Sequence, residues 1–192
     1  TLDQGDNAQL IFESLNSTGL ALTEGDKIRN YVLMGLSAQD QAKYYDNYWA
    51  KIEKCTANDV SGFVRDYLSI KQQFTPPVSN VYRTFKDYAE FVSLPINELL
   101  TDLLCYARFF EKLLICKSGL NEQALDDCLY RLKRLEIVVT RPFLMEVLKL
   151  HQDDKLTDAD LLRIFLITEN YLFRRNICEV PTNALNKIFL NL

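Results

Sequence analysis

Asn16, Ser17, Thr18 and Gly19 stand together near the start of the chain, and Thr23, Asp26, Arg29 and Asn30 follow at helical spacing. An asparagine amide both donates and accepts hydrogen bonds, so Asn16 suits recognition of a phosphate, a ribose or a base. The planar fork of Arg29 matches a phosphate. Each residue also has a plainer use. Asn16 could order the turn or cap a helix C-terminus, and Arg29 could pair with Asp26 one turn back or with Glu13 across the turn.

A second set is basic. Arg131, Lys133, Arg134 and Arg141 form the densest cationic cluster. Arg131, Arg134 and Arg141 fall on one face if a single helix carries them, and such a face could touch DNA phosphates. The alternative is a solvated helix surface, which the intervening Glu136 favours. Arg174 and Arg175 end an apolar run, where cations complement the helix dipole.

Other chemistry is missing from the sequence. There is one histidine, His151, too few for a His-Asn-His nuclease or a helix-borne zinc protease. The chain has no GxxxxGK[ST] phosphate loop, no GxGxxG and no GxSxG elbow. The acidic pairs Asp126-Asp127, Asp153-Asp154 and Asp158/Asp160 sit where carboxylates serve helix starts and solubility. Five cysteines (Cys55, Cys105, Cys116, Cys128 and Cys178) make an odd count without CxxC spacing. They read as free, mostly buried thiols in a reducing cytosol. No catalytic residue and no metal ligand is assigned to this chain.

Helices must position these residues. Leu10 to Leu15 reads as a short helix stopped by Asn16–Gly19. Thr23 with Asp26 forms a capping box for a helix to Leu33 or Met34, which Gly35 ends. Ser37 caps the next, where Tyr44, Tyr45, Tyr48, Trp49 and Ile52 form one packing stripe. Further helices start at Asn58 or Asp59, near Val78, at Asn97 and at Asn121; Gly119 closes the third of these. The pattern from Leu125 to Val139 is interrupted at Arg141-Pro142, and Phe143 to Leu150 continues. Thr157 with Asp160 caps a helix to about Phe173. That helix is apolar nearly all round and is expected at the centre of a bundle. A terminal helix begins at Pro181 and Thr182. The predicted class is therefore all-α: an irregular multi-helix bundle of about eight to ten helices.

Composition agrees. Of the 192 residues 48% are hydrophobic and 25% charged, with six Gly and five Pro, too few for a turn-rich β protein. The net charge of −4 lies wholly in residues 1–100, with 9 basic and 13 acidic side chains against 13 of each in 101–192. Bulk charge thus excludes a basic nucleic-acid-binding domain. No signal peptide and no membrane-spanning run is present, so a soluble, cytoplasmic protein without a membrane partner is expected. The polar opening TLDQGDN leads straight into a helix and reads as an internal cut from a longer protein.

The segment IFESLNSTGLALTEGDKIRNYVLM resembles the end of the DGQQR-type domain of GmrSD-like, modification-dependent restriction endonucleases, a domain-of-unknown-function family with a ParB/sulfiredoxin-like fold. Members read IFE-x-LN-x-x-G-x-x-L-x-x-x-D-x-IRN, and Phe12, Asn16, Gly19, Leu22, Asp26, Arg29 and Asn30 fall in register. The segment YLFRRNICEVPTNALNKIF (Tyr171 to Phe189) resembles the close of the helical region that follows this domain. The resemblance implies that residues 1–36 are the truncated tail of the nucleotide-handling domain, with Phe12, Asn16, Gly19, Asp26, Arg29 and Asn30 beside the nucleotide. Residues 37–192 would be the helical region leading to a C-terminal His-Asn-His-type nuclease domain. The prokaryotic parent would be a phage-defence enzyme, using NTP and Mg to control cleavage of modified DNA. This fragment would hold no cofactor and catalyse nothing alone. Its partners would be the missing domains, DNA through the parent, and a second copy in a homo-oligomer. The alternative is an α-helical interaction or regulatory module without nuclease activity.

Overall fold

The computed structural model describes residues 22–120 and 122–192, and of Asn183 the backbone alone. The helix expected at Leu10–Leu15 and the motif residues Phe12, Asn16 and Gly19 lie outside the described residues, as does Asn121. The described residues are all-helical and contain no strand. The helices are α1 (Glu24–Leu33), α2 (Ala38–Tyr44), α3 (Ala50–Cys55), α4 (Val60–Gln72), α5 (Val81–Val92), α6 (Ile96–Ile115), α7 (Gln123–Arg134), α8 (Arg141–Gln152), α9 (Asp158–Ile177) and α10 (Leu185–Leu190).

Local chemistry sets most of the starts. Thr23 and Thr157 each accept from the backbone N–H three residues on, and Asp26 and Asp160 return bonds to the cap N–H. Both expected capping boxes are therefore present. Ser37 caps α2 through the Asp40 N–H, and Asp59 accepts from the Gly62 N–H at 3.0 Å at the start of α4. Pro142 occupies the first turn of α8, where its missing N–H is harmless.

The stops differ from expectation at several points. Gly35 follows α1 with φ +80°, as its position predicts. The left-handed residue after α6, however, is Cys116 at φ 57°, ahead of Gly119. Between α2 and α3 the chain makes a π turn over Tyr45–Trp49, one residue wider per turn than an α-helix. That bulge breaks the 3.6 period of the aromatic stripe. Trp49 and Ile52 are buried, whereas Tyr44, Tyr45 and Tyr48 are only half-buried.

The chain divides into two compact units. The first comprises the described part of Thr1–Arg65 with Pro76–Leu104. Its core holds Ile28, Trp49, Ile52, Phe63, Phe85 and Leu100, all at most 1% exposed. Each such side chain contributes roughly 1.5–3 kcal/mol by leaving water. Helices α1 and α5 pack together here, with Tyr31 edge-on to Tyr82 and Phe85 at 6.4 and 6.3 Å. Gly25 permits the close approach of α1 to α4, since a Cβ on it would lie 2.9 Å from Val60 Cβ.

The second unit comprises Asp66–Thr75 with Cys105–Leu192. Helix α9 packs on α7 and α8, and α10 packs on α8. Leu161, Phe165 and Leu172 of α9 enter a core with Phe110, Leu125 and Met145. The central position expected for α9 is not what the structure shows. Only one side is buried. On the other, Leu166, Ile167, Phe173 and Ile177 are 41%, 59%, 54% and 66% exposed. The helix is apolar on two faces, and the sequence pattern alone does not distinguish a second core face from an outward one.

Candidate functional site

The motif residues on α1 form a closed polar network in the first unit. The Thr23 N–H and hydroxyl donate to Asp26 Oδ2 at 3.2 and 2.7 Å. The other Asp26 oxygen lies 3.2 Å from Arg29 Nη2. Arg29 Nη1 donates to Glu53 Oε1 at 3.4 Å. Glu53 also accepts from Trp49 Nε1 at 2.9 Å and from the Tyr45 hydroxyl at 3.2 Å. The carboxylate charge of Glu53, and then its hydrogen bond, push the Tyr45 phenol pKa up. Neighbouring Glu24 serves the fold: it pairs with Lys27 at 2.8 Å and accepts the Tyr82 N–H at 2.7 Å, capping α5.

Arg29 is thus held between two carboxylates. The pairing with Asp26 is one of the two partners its spacing suggests; Glu53, twenty-four residues away, is invisible to local spacing. A guanidinium shared between two acids is oriented and neutralised, and it presents little net charge to an incoming phosphate. Asn30 differs. Its side chain is half-buried and makes no hydrogen bond among the described residues. It is the one member of the expected motif on α1 whose polar atoms have no internal task there.

The basic cluster does not assemble. Helix α7 ends at Arg134, Glu136 takes a left-handed φ of 53°, and a short 3₁₀ turn over Val138–Thr140 precedes α8. Arg131 and Arg134 therefore belong to a different helix from Arg141, and the shared face does not exist. Arg131 makes a bidentate pair with Glu169 of α9 at 2.5 and 2.9 Å. That bond holds the Glu169 carboxyl below its ordinary range. Burial first, then Glu169, pushes the adjacent Cys128 thiol up to about 12, so it is an inert core thiol. Lys133 donates to the Leu114 carbonyl at 2.7 Å, near the end of α6. Arg141 lies 2.8 Å from the buried Asp66 and over the Phe110 ring at 4.9 Å. Arg134 alone of the four is exposed without an ion pair or hydrogen bond among the described residues.

The remaining polar groups are also structural. The backbone N–H of Ser118 donates to Asp126 Oδ1 at 2.7 Å and its hydroxyl does so at 2.8 Å, which depresses the carboxyl pKa. His151 Nε2 lies 2.6 Å from Asp158 Oδ1 near the end of α8; it is half-buried there rather than freely solvated. The cysteines are all free, with Cys55, Cys116 and Cys128 buried, Cys105 half-buried and Cys178 exposed. No group of three or more His, Cys, Asp or Glu residues able to hold a metal occurs among the described residues. Nor is any of their helices long and apolar enough to cross a membrane.

The second unit carries two recesses near the cations. One, of about 320 Å³, is walled by Leu113, Leu129, Leu132 and Leu144, with Lys133 and Arg141 at its edge. Another lies between α7 and α9, lined by Arg131, Arg134, Leu135, Glu169 and Phe173. The second adjoins the outward apolar side of α9, a surface feature that no motif indicated. Its only signal in the sequence is the run Leu166, Ile167, Phe173, Ile177. Compared with family models, curated proteins and solved structures, the chain matches none.

Proposed function

We propose that this chain is a non-catalytic helical scaffold of a nucleotide-dependent restriction endonuclease that acts on modified DNA. Its task is to connect a nucleotide-handling domain to a His-Asn-His-type nuclease domain. The observation that supports a scaffold is the use of its polar groups. Arg29, Arg131, Lys133, Arg141 and Asp126 each hold one part of a unit to another. The hydroxyls of Thr23 and Ser118 and the thiol of Cys128, which each touch a carboxylate, belong to these same structural networks. The restriction-enzyme setting rests on the resemblance of the two terminal segments. In that setting Asn16 and Asn30 belong to the nucleotide side, and NTP and Mg bind to the parent rather than to this segment.

A second reading, a helical interaction module without nuclease activity, draws on the outward face of α9. Its four apolar side chains expose on the order of 400 Å², taking roughly 200 Å² per full side chain, and patches of that size are often functional. The two readings differ in whether the partner is a domain of the same protein.

The test uses the purified chain and the full-length parent. The chain alone, supplied with NTP, Mg and modified duplex DNA, is expected to release no phosphate and cut no strand. In the parent, Asn30→Ala lowers nucleotide turnover while circular dichroism stays unchanged. Strand scission by the chain alone overturns the scaffold reading. Normal turnover by the Asn30 variant removes the nucleotide role.

A further inference from the structure

We infer that the outward face of α9 docks an acidic amphipathic helix; this deepens the scaffold reading and rests on it. On a helix turning about 100° per residue, Phe173 and Ile177 fall roughly 20° to either side of Leu166, and Ile167 lies about 100° round, across a groove floored by Asn170, Arg163 and Arg174. Leu166, Phe173 and Ile177 form a ridge about 17 Å long, taking 1.5 Å per residue, enough for three turns of a partner. The opposite side of α9 is already buried against its own unit, so the exposed stripe adds nothing to folding.

The charges at its margins choose the occupant. Arg163 and Arg174 lie together along one edge, both exposed; Arg163 interacts electrostatically with Asp160 three residues back, whereas Arg174 has no ion pair or hydrogen bond within the described residues. Along the other edge Arg134 lines the recess shared with Phe173, also without a carboxylate partner. The one acid there, Glu169, is taken by Arg131. An apolar ridge with a cation on each side, Arg174 and Arg134, that has no carboxylate partner among the described residues fits a helix whose apolar stripe is bordered by Asp and Glu. A second copy fits less well. A two-fold antiparallel pair would set the Arg163 and Arg174 edge against itself, with like charges opposed. Asn170 sits on the same face and is exposed. Its amide, when covered, demands a polar partner, which sets the register of the incoming helix.

The probe is a pair of fluorescent peptides of about five helical turns, with the same leucine stripe but Glu in one and Lys in the other at the bordering positions. Binding to the 192-residue chain is read by anisotropy. The Glu peptide is expected to bind about tenfold more tightly than the Lys peptide, and more weakly as salt rises. Ile167→Asp and Arg174→Glu are each expected to weaken the Glu peptide about tenfold with unchanged circular dichroism. Should Ile167→Asp fail to fold, Ile177→Asp gives the same readout. Equal binding of the two peptides overturns the proposal, as does binding that ignores these substitutions. So does self-association, or capture on anionic vesicles, that depends on Ile167 while the Glu peptide stays unbound. None of these outcomes bears on whether the chain cuts DNA, so failure here stays separate from failure of the scaffold reading.

Discussion

Arg141 separates the structural from the DNA-binding account of the cationic cluster. It lies 2.8 Å from Asp66, whose side chain is 6% exposed, while its own is 22% exposed. Removing one partner from a buried pair costs about 3–5 kcal/mol, because the other charge stays in low dielectric. Three features lower that figure here. Water reaches part of Arg141, Asp66 keeps another contact, and the Nε–H points off the line to the carboxylate. Loss of the Phe110 ring contact at 4.9 Å adds back about 0.5–1 kcal/mol. Arg141→Ala is therefore expected to cost about 2–4 kcal/mol. With a urea slope of about 2 kcal/mol/M, the midpoint falls by about 1–2 M.

The companion variants set the scale. Arg131→Ala breaks a pair in which the arginine is 47% exposed, worth about 0.2–1 kcal/mol. Arg134→Ala removes an exposed, unpaired cation and stays within about 0.5 kcal/mol of the parent. The assay is urea denaturation followed by circular dichroism, with duplex binding by the full-length protein measured at low salt. The order of destabilisation should be Arg141, then Arg131, then Arg134. A double change of Asp66→Asn with Arg141→Met should recover much of the loss, since neither half then buries a lone charge. If Arg141→Ala leaves the midpoint in place and weakens DNA binding, the structural account of this residue is wrong.

Two further outcomes test the packing and the clasp. Gly25→Ala gains about 1 kcal/mol or less of helix propensity but sets a methyl 2.9 Å from Val60 Cβ, an overpacking that costs about 1–3 kcal/mol. A lower melting temperature is expected, and a higher one would show that α1 and α4 do not approach this closely. The Asp126 carboxyl is depressed in the folded chain by the Ser118 backbone N–H first. Its stabilisation is therefore present above the unfolded pKa and lost as pH falls through the lower folded value. Asp126→Asn should be less stable than the parent at neutral pH, and the two melting curves should converge in acid; a gap independent of pH would refute the linkage.

Local elements were legible because their chemistry is local. Thr23 with Asp26, Thr157 with Asp160, and Ser37 each declare a helix start within four residues, and each start is where they place it, whereas Arg141-Pro142, read as an interruption, is the first turn of α8. What the chain hides is long-range. Glu53 lies twenty-four residues from Arg29 and Glu169 thirty-eight from Arg131, so no periodicity links them. The break after Arg134 was hidden for a different reason. Leu135, Ile137 and Val139 continue an apolar pattern, and the left-handed residue that stops the helix is Glu136, a type that seldom accepts that conformation. The π turn at Tyr45–Trp49 escapes in the same way, because an aromatic run tolerates either period.

Helix α9 shows why burial and function need separate evidence. A helix apolar on two sides satisfies the same pattern whether both sides face a core or one waits for a partner. The cations decide between these cases. Arginines at the margin of an internal core face find carboxylates as the chain folds, as Arg131 and Arg141 do. Arg134 and Arg174 do not among the described residues, although acids are plentiful in a chain of net charge −4. Two such cations, one on each side of an uncovered apolar ridge, place the missing carboxylates on whatever covers it. An exposed ridge without a partner would instead be a liability for aggregation. Ile177→Asp should then raise the solubility of the isolated chain without lowering its melting temperature by more than about a degree or two, because Ile177 is 66% exposed. A drop of several degrees, which in a chain of this size corresponds to about 1–2 kcal/mol, would mean that this face is already covered from within.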